Sequence, residues 1–183
     1  MSNDDAAAPA ARWRASLPRI GVLTVVVTFG AMWIWVLFFA PRDGVNRFED
    51  REWAAWAEQI CAEAANQRLE LADYTRLDSG GSALIQQRAD LIDRATATLE
   101  SMLAELRAQP PADAKGRAIV PMWLDEYDTY VSDRRQYTSE LRASGENLPF
   151  YETLNQVPIS ERLATFAADN EMPSCKPPFD LDI

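Results

Sequence analysis

The feature that most constrains this chain is the stretch of residues 20–40, IGVLTVVVTFGAMWIWVLFFA, which contains no charged side chain. An α-helix of this length extends about 31 Å, which is the thickness of the hydrocarbon core of a bilayer. The stretch separates a tail, residues 1–19, from a domain, residues 41–183. We therefore predict a single transmembrane helix over residues 20–40, with the folded mass on one side of the membrane.

A signal peptide or a buried helix fits the apolar stretch less well than a membrane span does. A cleaved signal peptide has a shorter apolar region, of about 7–15 residues, with small residues before the cleavage site. Here Phe38 and Phe39 are followed closely by Pro41, and a proline just after the cut makes a poor cleavage substrate. A buried helix of a soluble domain is rarely apolar on every face over such a length. The sequence favours an uncleaved anchor.

The net charge of −10 is concentrated after the apolar stretch. Residues 1–40 carry three arginines and two aspartates, so residues 41–183 have a net charge of −11. An acidic domain argues against binding to nucleic acid and against direct adhesion to anionic lipid. A surface kept soluble by its charge accounts for the same composition. We expect the bilayer to be a partner through residues 20–40 only, and no nucleic acid partner.

The arginines that flank the apolar stretch do not decide its orientation, because there are three on each side: Arg12, Arg14 and Arg19 before it, and Arg42, Arg47 and Arg51 after it. Both cysteines, Cys61 and Cys175, lie in the long domain, which fits an oxidising compartment. The tail is rich in alanine and polar residues and is predicted to be disordered. We predict a single-pass protein of the cell membrane, with residues 1–19 cytoplasmic and residues 41–183 extracytoplasmic.

Apolar periodicity predicts that the domain is all-α, because no strand pattern is present. The predicted helices cover residues 46–77, 83–109 and 112–144, followed by a shorter fourth over 158–170. The expected architecture is an N-terminal transmembrane helix followed by an antiparallel helical bundle tied by a disulfide.

Glycine and proline mark the ends of the predicted helices. The sequence Asp78-Ser79-Gly80-Gly81 is a turn signal, after which Ser82 can cap the second helix. Pro110-Pro111 ends that helix, and Ser144-Gly145 forms a C-terminal cap for the third. Pro121 lies inside the third pattern, so that helix either starts near Pro121 or kinks there.

The spacing of apolar residues predicts which face of each helix is buried. On the first helix this face comprises Trp53, Trp56, Ile60, Gln67, Leu71 and Tyr74, with Ala57, Cys61, Ala64 and Arg68 along its edge. The second helix carries a seven-residue repeat of Ile85, Ile92, Leu99 and Leu106, with Ala95 and Met102 between them. Arg88 interrupts this repeat where an apolar residue is expected.

The chain lacks the usual catalytic side chains. It contains no histidine, which excludes histidine-based triads and the usual zinc sites. No Cys-x-x-Cys pair and no phosphate-binding glycine loop is present. Asp125, Glu126 and Asp128 cluster on the third helix, but neighbouring carboxylates on a helix diverge, so a charged outer face is the simpler interpretation. We predict no enzyme activity, no cofactor and no metal site.

An aromatic stripe, Trp123, Tyr127, Tyr130 and Tyr137, follows one face of the third helix. Large aromatic side chains at helical spacing are typical of a bundle core. The same stripe could instead line a pocket for a small apolar ligand or a glycan. The sequence leaves both interpretations open.

The two cysteines are predicted to form a disulfide, because they reach similar heights along the bundle. Cys61 lies sixteen residues before the predicted end of the first helix at Leu77, which places it about 24 Å below that end. The fourth helix descends from Pro158 by about 20 Å. A few extended residues then bring Cys175 close to the height of Cys61, as a bridge requires.

The chain resembles a diffuse group of uncharacterised actinobacterial exported or membrane-anchored helical proteins. The shared features are an N-terminal anchor or signal, the early Cys61, the helix–turn–helix sequence at Pro110-Pro111-Ala112 with Trp123 downstream, and the late Cys175. The C-terminal sequence ISERLATFAADNEMPSCKPP is the most similar part. The resemblance implies the architecture, and it implies no activity or ligand.

These observations predict a non-catalytic, membrane-anchored extracytoplasmic protein that acts as an interaction or accessory subunit of the bacterial cell envelope, with a protein partner. The alternative is a binding module that uses the aromatic stripe to hold a small apolar ligand or a glycan.

Overall fold

The structure is a computed structural model that describes residues 17–39, 44–71 and 81–181. The chain divides into two compact units, Met1–Arg42 and Asp43–Ile183. The first unit contains the apolar helix, and the second contains the bundle.

Helix α1 covers Leu17–Phe38 and matches the predicted transmembrane segment. Within it, residues Ile20–Phe38 are long and apolar enough to cross a membrane, and none of this span is buried against protein. Thr24 donates its hydroxyl hydrogen to the carbonyl oxygen of Ile20 at 2.9 Å, so it exposes no unpaired donor. The last predicted residue, Ala40, and residues 1–16 of the predicted disordered tail lie outside the described residues. The prediction that the tail is disordered as far as residue 19 was wrong, because residues 17–19 form the first turn of α1.

The second unit is a helical bundle, as predicted. Its helices are α2 (Arg51–Glu70), α3 (Gly81–Ala108), α4 (Ala114–Ser144) and the shorter α5 (Ile159–Asp169). A two-residue antiparallel ladder, Leu154–Asn155 with Val157–Pro158, precedes α5, and a single 3₁₀ turn, Pro173–Cys175, follows it.

Side-chain contacts show that consecutive helices run antiparallel. Trp53 near the start of α2 contacts the carbonyl oxygen of Gln109 after the end of α3, and Arg68 near the end of α2 contacts Thr98. Arg107 late in α3 pairs with Asp128 near the middle of α4, whereas Asp90 early in α3 pairs with Arg142 near the end of α4. The predicted order of three long antiparallel helices and a shorter fourth is confirmed.

The prediction that the first bundle helix starts at residue 46 was wrong by five residues. Asp50 accepts a hydrogen bond from the Trp53 amide at 2.9 Å and fixes the helix start at Arg51. The residues before it form turns, because they bond to the end of α5: the Asn170 amide oxygen accepts from the Phe48 N–H at 3.1 Å. At the other end α2 stops at Glu70, and the predicted residues 72–77 lie outside the described part of the chain.

The later boundaries agree more closely with the sequence. Helix α3 begins at Gly81 and already includes Ser82, so the prediction that Ser82 caps this helix was wrong. The φ of Gly81 is 62°, a backbone conformation that glycine adopts without strain. Asp113 caps the start of α4, which continues through Pro121 without interruption. Gly145 adopts the left-handed conformation and donates to the Leu141 carbonyl at 2.9 Å, as the C-terminal cap predicted.

The buried face of α2 differs from the prediction. The buried residues are Trp53, Ala54, Ala57, Cys61 and Ala64, whereas Trp56 and Ile60 are half-buried and Gln67 is exposed. Ala57, Cys61 and Ala64, which were predicted to lie along the edge of the buried face, therefore lie near its centre. Small side chains let another segment approach α2 closely, and the turn that carries Cys175 occupies this space.

Among the described residues, the buried apolar side chains form two clusters. The members of these clusters on α3 and α4 are separated along both helices by a polar layer. The larger cluster includes Leu99, Trp123 and Tyr127, and the smaller includes Ile92 and Tyr137. Thr96 on α3 and Arg134 on α4 lie between these positions, and both side chains are buried.

Candidate functional site

The disulfide joins α2 to the C-terminal segment and confirms the predicted pairing. The sulfur atoms of Cys61 and Cys175 are 2.10 Å apart, their Cα atoms are 5.0 Å apart, and both residues are fully buried. Glu58, one turn earlier on α2, accepts hydrogen bonds from the Ser174 amide at 2.9 Å and from its hydroxyl at 2.6 Å. This carboxylate therefore fixes the turn in which Cys175 sits.

The C-terminal segment is held along α4 by three side chains at helical spacing. The Tyr127 hydroxyl donates to the Cys175 carbonyl at 3.2 Å, and the Tyr130 hydroxyl donates to the Pro178 carbonyl at 3.1 Å. Arg134 binds the Asp180 carboxylate through both terminal nitrogens, at 2.6 and 3.0 Å. Burial raises the pKa of both tyrosines, so both remain neutral hydrogen-bond donors at physiological pH.

All four residues of the aromatic stripe are buried. Trp123 stacks on Phe166 of α5 with ring centroids 4.9 Å apart, and Tyr127 packs against Trp123 edge to face. Tyr137 donates its hydroxyl hydrogen to the Leu148 carbonyl at 2.8 Å. The stripe therefore supplies core packing and holds the segments that follow α4.

A groove of about 330 Å³ lies between α4 and α5, and Trp123 is the one residue of the stripe that lines it. The apolar part of its lining comes from Ile119, Met122, Trp123, Val157 and Phe166. The polar part comes from Asn46, Glu126, Glu161, Arg162 and Thr165. The indole N–H of Trp123 is buried and has no hydrogen-bond acceptor among the described residues.

The three clustered carboxylates of the third predicted helix do not converge. Asp125 and Asp128 both pair with Arg107, at 3.5 and 2.6 Å, and are largely exposed. Glu126 points to a different neighbour and pairs with Arg162 of α5. In the described part of the chain no group of three or more histidine, cysteine, aspartate or glutamate side chains is placed to hold a metal ion.

The sequence did not predict the most buried charge of the bundle. Arg134 has a fully buried side chain that contacts Asp180 and also donates through Nε to the Thr96 hydroxyl at 2.9 Å. Its position was visible in the sequence, because Arg134 follows Tyr127 by seven residues on the aromatic face. Its partner could not be predicted from the sequence, because Asp180 lies 46 residues further along the chain.

Comparison with known proteins finds no matching family model, no similar curated protein and no similar solved structure. The resemblance to exported helical proteins stays a prediction. A function for this protein therefore has to be inferred from its own residues.

Proposed function

We propose that this protein is a membrane-anchored, extracytoplasmic accessory protein of the cell envelope that acts by binding another protein. The observation that carries the proposal is the contrast between its two units. Helix α1 exposes apolar side chains on every side, whereas the bundle has a filled aromatic core closed by a buried disulfide. The helix needs a bilayer to cover it, and the bundle forms a folded unit that the helix can hold at a membrane.

The disulfide supports an extracytoplasmic location for the bundle. Disulfides form and persist in oxidising compartments and are rare in the cytosol. The bridge spans 114 residues and is part of the core, so the bundle depends on it for its closed form. The N-terminus is then cytoplasmic.

The arrangement of ionisable groups supports binding over catalysis. The clustered carboxylates form ion pairs at the surface, and the buried Arg134 forms an ion pair with Asp180 and a hydrogen bond with Thr96. A general acid or base needs a cleft in which its proton can reach a substrate. The alternative, a ligand module built on the aromatic stripe, has less support because Tyr127, Tyr130 and Tyr137 donate to backbone carbonyls within the bundle.

Site-specific photo-crosslinking of the full chain in native membranes tests the proposal. A photoreactive amino acid is placed at exposed apolar positions, Met122, Leu154 or Phe179, and at the exposed Glu105 as a control. We expect at least one of the three apolar positions to give a discrete protein adduct, and Glu105 to give none. Adducts with lipid alone at all three positions would contradict the proposal.

A further inference from the structure

The disulfide has no solvent-exposed surface in the folded bundle. Cys61 and Cys175 are both 0% exposed, so a reagent in solution cannot touch either sulfur while the contacts around them are in place. A disulfide is cleaved by a thiolate that attacks one of its sulfur atoms directly. Cleavage therefore requires a motion of the protein, which is either unfolding of the whole bundle or release of the segment that carries Cys175.

The segment after Cys175 is attached to the bundle through side chains. Residues 176–181, which we call the strap, form no helix or strand and make no backbone–backbone hydrogen bond within the described part of the chain. Pro177 and Pro178 lack the amide hydrogen that such a bond needs. Phe179, the largest apolar side chain of the strap, is 83% exposed. The helices are held by continuous backbone hydrogen bonds, so the strap can open locally at a lower free energy than they can.

Three side chains of α3 and α4 hold the strap. They bind the carbonyl oxygens of Pro178 and Leu181 and the carboxylate of Asp180, and they are Tyr130, Arg88 and Arg134. The disulfide instead joins Cys175 to α2, and Tyr127 of α4 donates to the Cys175 carbonyl at 3.2 Å. Cys175 therefore lies between α2 and α4. When the three contacts break, the strap leaves α4 while Cys175 stays on α2, and this exposes Cys175 on the side that faces α4.

We propose that the strap gates reduction of the disulfide: a dithiol reaches the bridge when residues 176–181 leave α4, while the helices remain folded. The thiolate of the dithiol attacks one sulfur and expels the other as a thiolate, which leaves a mixed disulfide. The second thiol of the same molecule then attacks the mixed disulfide and releases the remaining cysteine. The dithiol becomes a cyclic disulfide, and its two hydrogen atoms pass to Cys61 and Cys175. This inference goes beyond the proposed function and holds whatever partner the protein binds.

The kinetics of reduction of the full chain in detergent measure the gate. The protein is treated with dithiothreitol, at concentrations where the rate rises in proportion to the reagent, and the reaction is quenched with iodoacetamide. The chain has two cysteines, so the intact mass reports reduction as the addition of two alkyl groups. In this regime the rate is proportional to the population of the open form. We expect the rate to depend on urea much more weakly than global unfolding does, because release of the strap exposes little surface.

Three variants distinguish release of the strap from unfolding of the bundle. Asp180→Asn should accelerate reduction at least about tenfold, because the strap loses its ion pair with the buried Arg134. Tyr130→Phe removes only the hydroxyl that binds the strap and should accelerate reduction about two- to tenfold. Val120→Ala is the matched control, because it shortens a buried side chain near the start of α4. It should lower the urea midpoint of unfolding and leave the rate of reduction without urea unchanged.

Two kinds of result would overturn the gate. If Val120→Ala accelerates reduction as much as it raises the unfolding constant, or if the urea dependence is as steep as that of global unfolding, the disulfide opens only with the whole bundle. If Asp180→Asn and Tyr130→Phe both leave the rate unchanged, a segment other than the strap covers the sulfur atoms. Tyr130→Phe keeps the ion pair of Asp180, so it tests the strap even where Asp180→Asn fails to fold.

Discussion

Arg134 is the largest side chain that the described part of the bundle buries completely, and it carries a charge. Burial by itself lowers the pKa of an arginine, but the hydrogen bonds and charge of Asp180 outweigh burial and raise the pKa of Arg134. The guanidinium therefore stays charged and depends on its partner. Because Asp180 lies near the end of the chain, this pair attaches the C-terminal segment to the centre of the bundle.

Asp180→Asn should destabilise the protein more than Arg134→Met does. The first change leaves a buried guanidinium without a countercharge and should cost about 3 kcal/mol in the free energy of unfolding. The second removes the charge and refills its volume with an apolar chain, so we expect a smaller loss. Urea unfolding of the full chain in detergent measures both, with the exposed Arg94→Met as control. An Arg134→Met variant less stable than Asp180→Asn would contradict this role of the pair.

Single buried polar residues were the part of the fold that the sequence predicted least well. An arginine on an aromatic helix face looks like an interruption of the core, and its role depends on Asp180, which no local pattern connects to it. Arg88, which the repeat of α3 marked as an interruption, likewise donates to the distant Leu181 carbonyl at 2.6 Å. In contrast, the stripe of Trp123 and the three tyrosines follows helical spacing, so its common face was predictable.

Two helix starts are joined by a reciprocal pair of caps. Asp50 caps α2 and also accepts from the Ala112 amide at 2.7 Å, just before α4. Asp113 caps α4 and accepts from the Asp50 amide at 3.3 Å. Each carboxylate therefore fixes its own helix and holds the loop before the other, which aligns the N-terminal ends of α2 and α4.

The pKa of both capping carboxylates is lowered, which predicts a loss of stability in acid. The pKa of Asp50 is lowered mainly by the Ala112 amide and then by the Trp53 amide. For Asp113 burial acts in the opposite direction on the pKa, but the amides of Gly116 and Asp50 outweigh it. The folded state therefore holds these protons less tightly than the unfolded chain. Their contribution is present above about pH 4 and is lost as the pH falls through the folded pKa values.

Variants of Asp50 separate the cap from its charge. Asp50→Ala should cost about 1 kcal/mol at neutral pH, because the Trp53 amide loses its acceptor. Asp50→Asn keeps an acceptor and should cost less, while reducing the slope of stability against pH below about pH 4. Thermal melting between acidic and neutral pH measures both effects, with Glu105→Gln as control. An unchanged acid slope in Asp50→Asn would show that the cap's charge contributes nothing.

Helix ends set by local chemistry were predicted well, and those set by tertiary contacts were not. Pro110-Pro111 and Gly145 act on the backbone next to them, so the boundaries of α3 and α4 followed from the sequence. The start of α2 depends on contacts of the preceding turns with the end of α5, such as that of Phe48 with Asn170, 122 residues away. The buried face of α2 was misjudged because alanines carry a weak apolar signal but permit the closest packing.

At the scale of the whole molecule, the disulfide links the first helix of the bundle to its last turn. Replacing both cysteines by alanine should lower the free energy of unfolding by about 2–5 kcal/mol, because the open loop gains entropy in the unfolded chain. Thermal melting of the full chain with and without reductant measures the loss. Retention of the native melting temperature after replacement would contradict the expected role. Peptide mapping without reductant should recover the Cys61 and Cys175 peptides as one linked species.

The proposed orientation predicts which side of the membrane each unit occupies. Ser101 is exposed on α3, so Ser101→Cys should react in intact cells with a maleimide that cannot cross membranes. Ser2→Cys, in the tail, should react only after the cells are lysed. The native cysteines form a buried disulfide and do not compete for the reagent. The reverse pattern of labelling would place the bundle in the cytoplasm.

The position of the disulfide also determines how the protein responds to mechanical force. A pull between Gly44, at the start of the bundle unit, and Leu181 passes through the bridge instead of through the 114 residues that it spans. The connecting path then contains about 23 residues and can lengthen to only about 80 Å, whereas the reduced chain would extend to about 480 Å. The oxidised bundle is therefore a short tether between these two points, because the bridge keeps most of its length out of the path that carries the force.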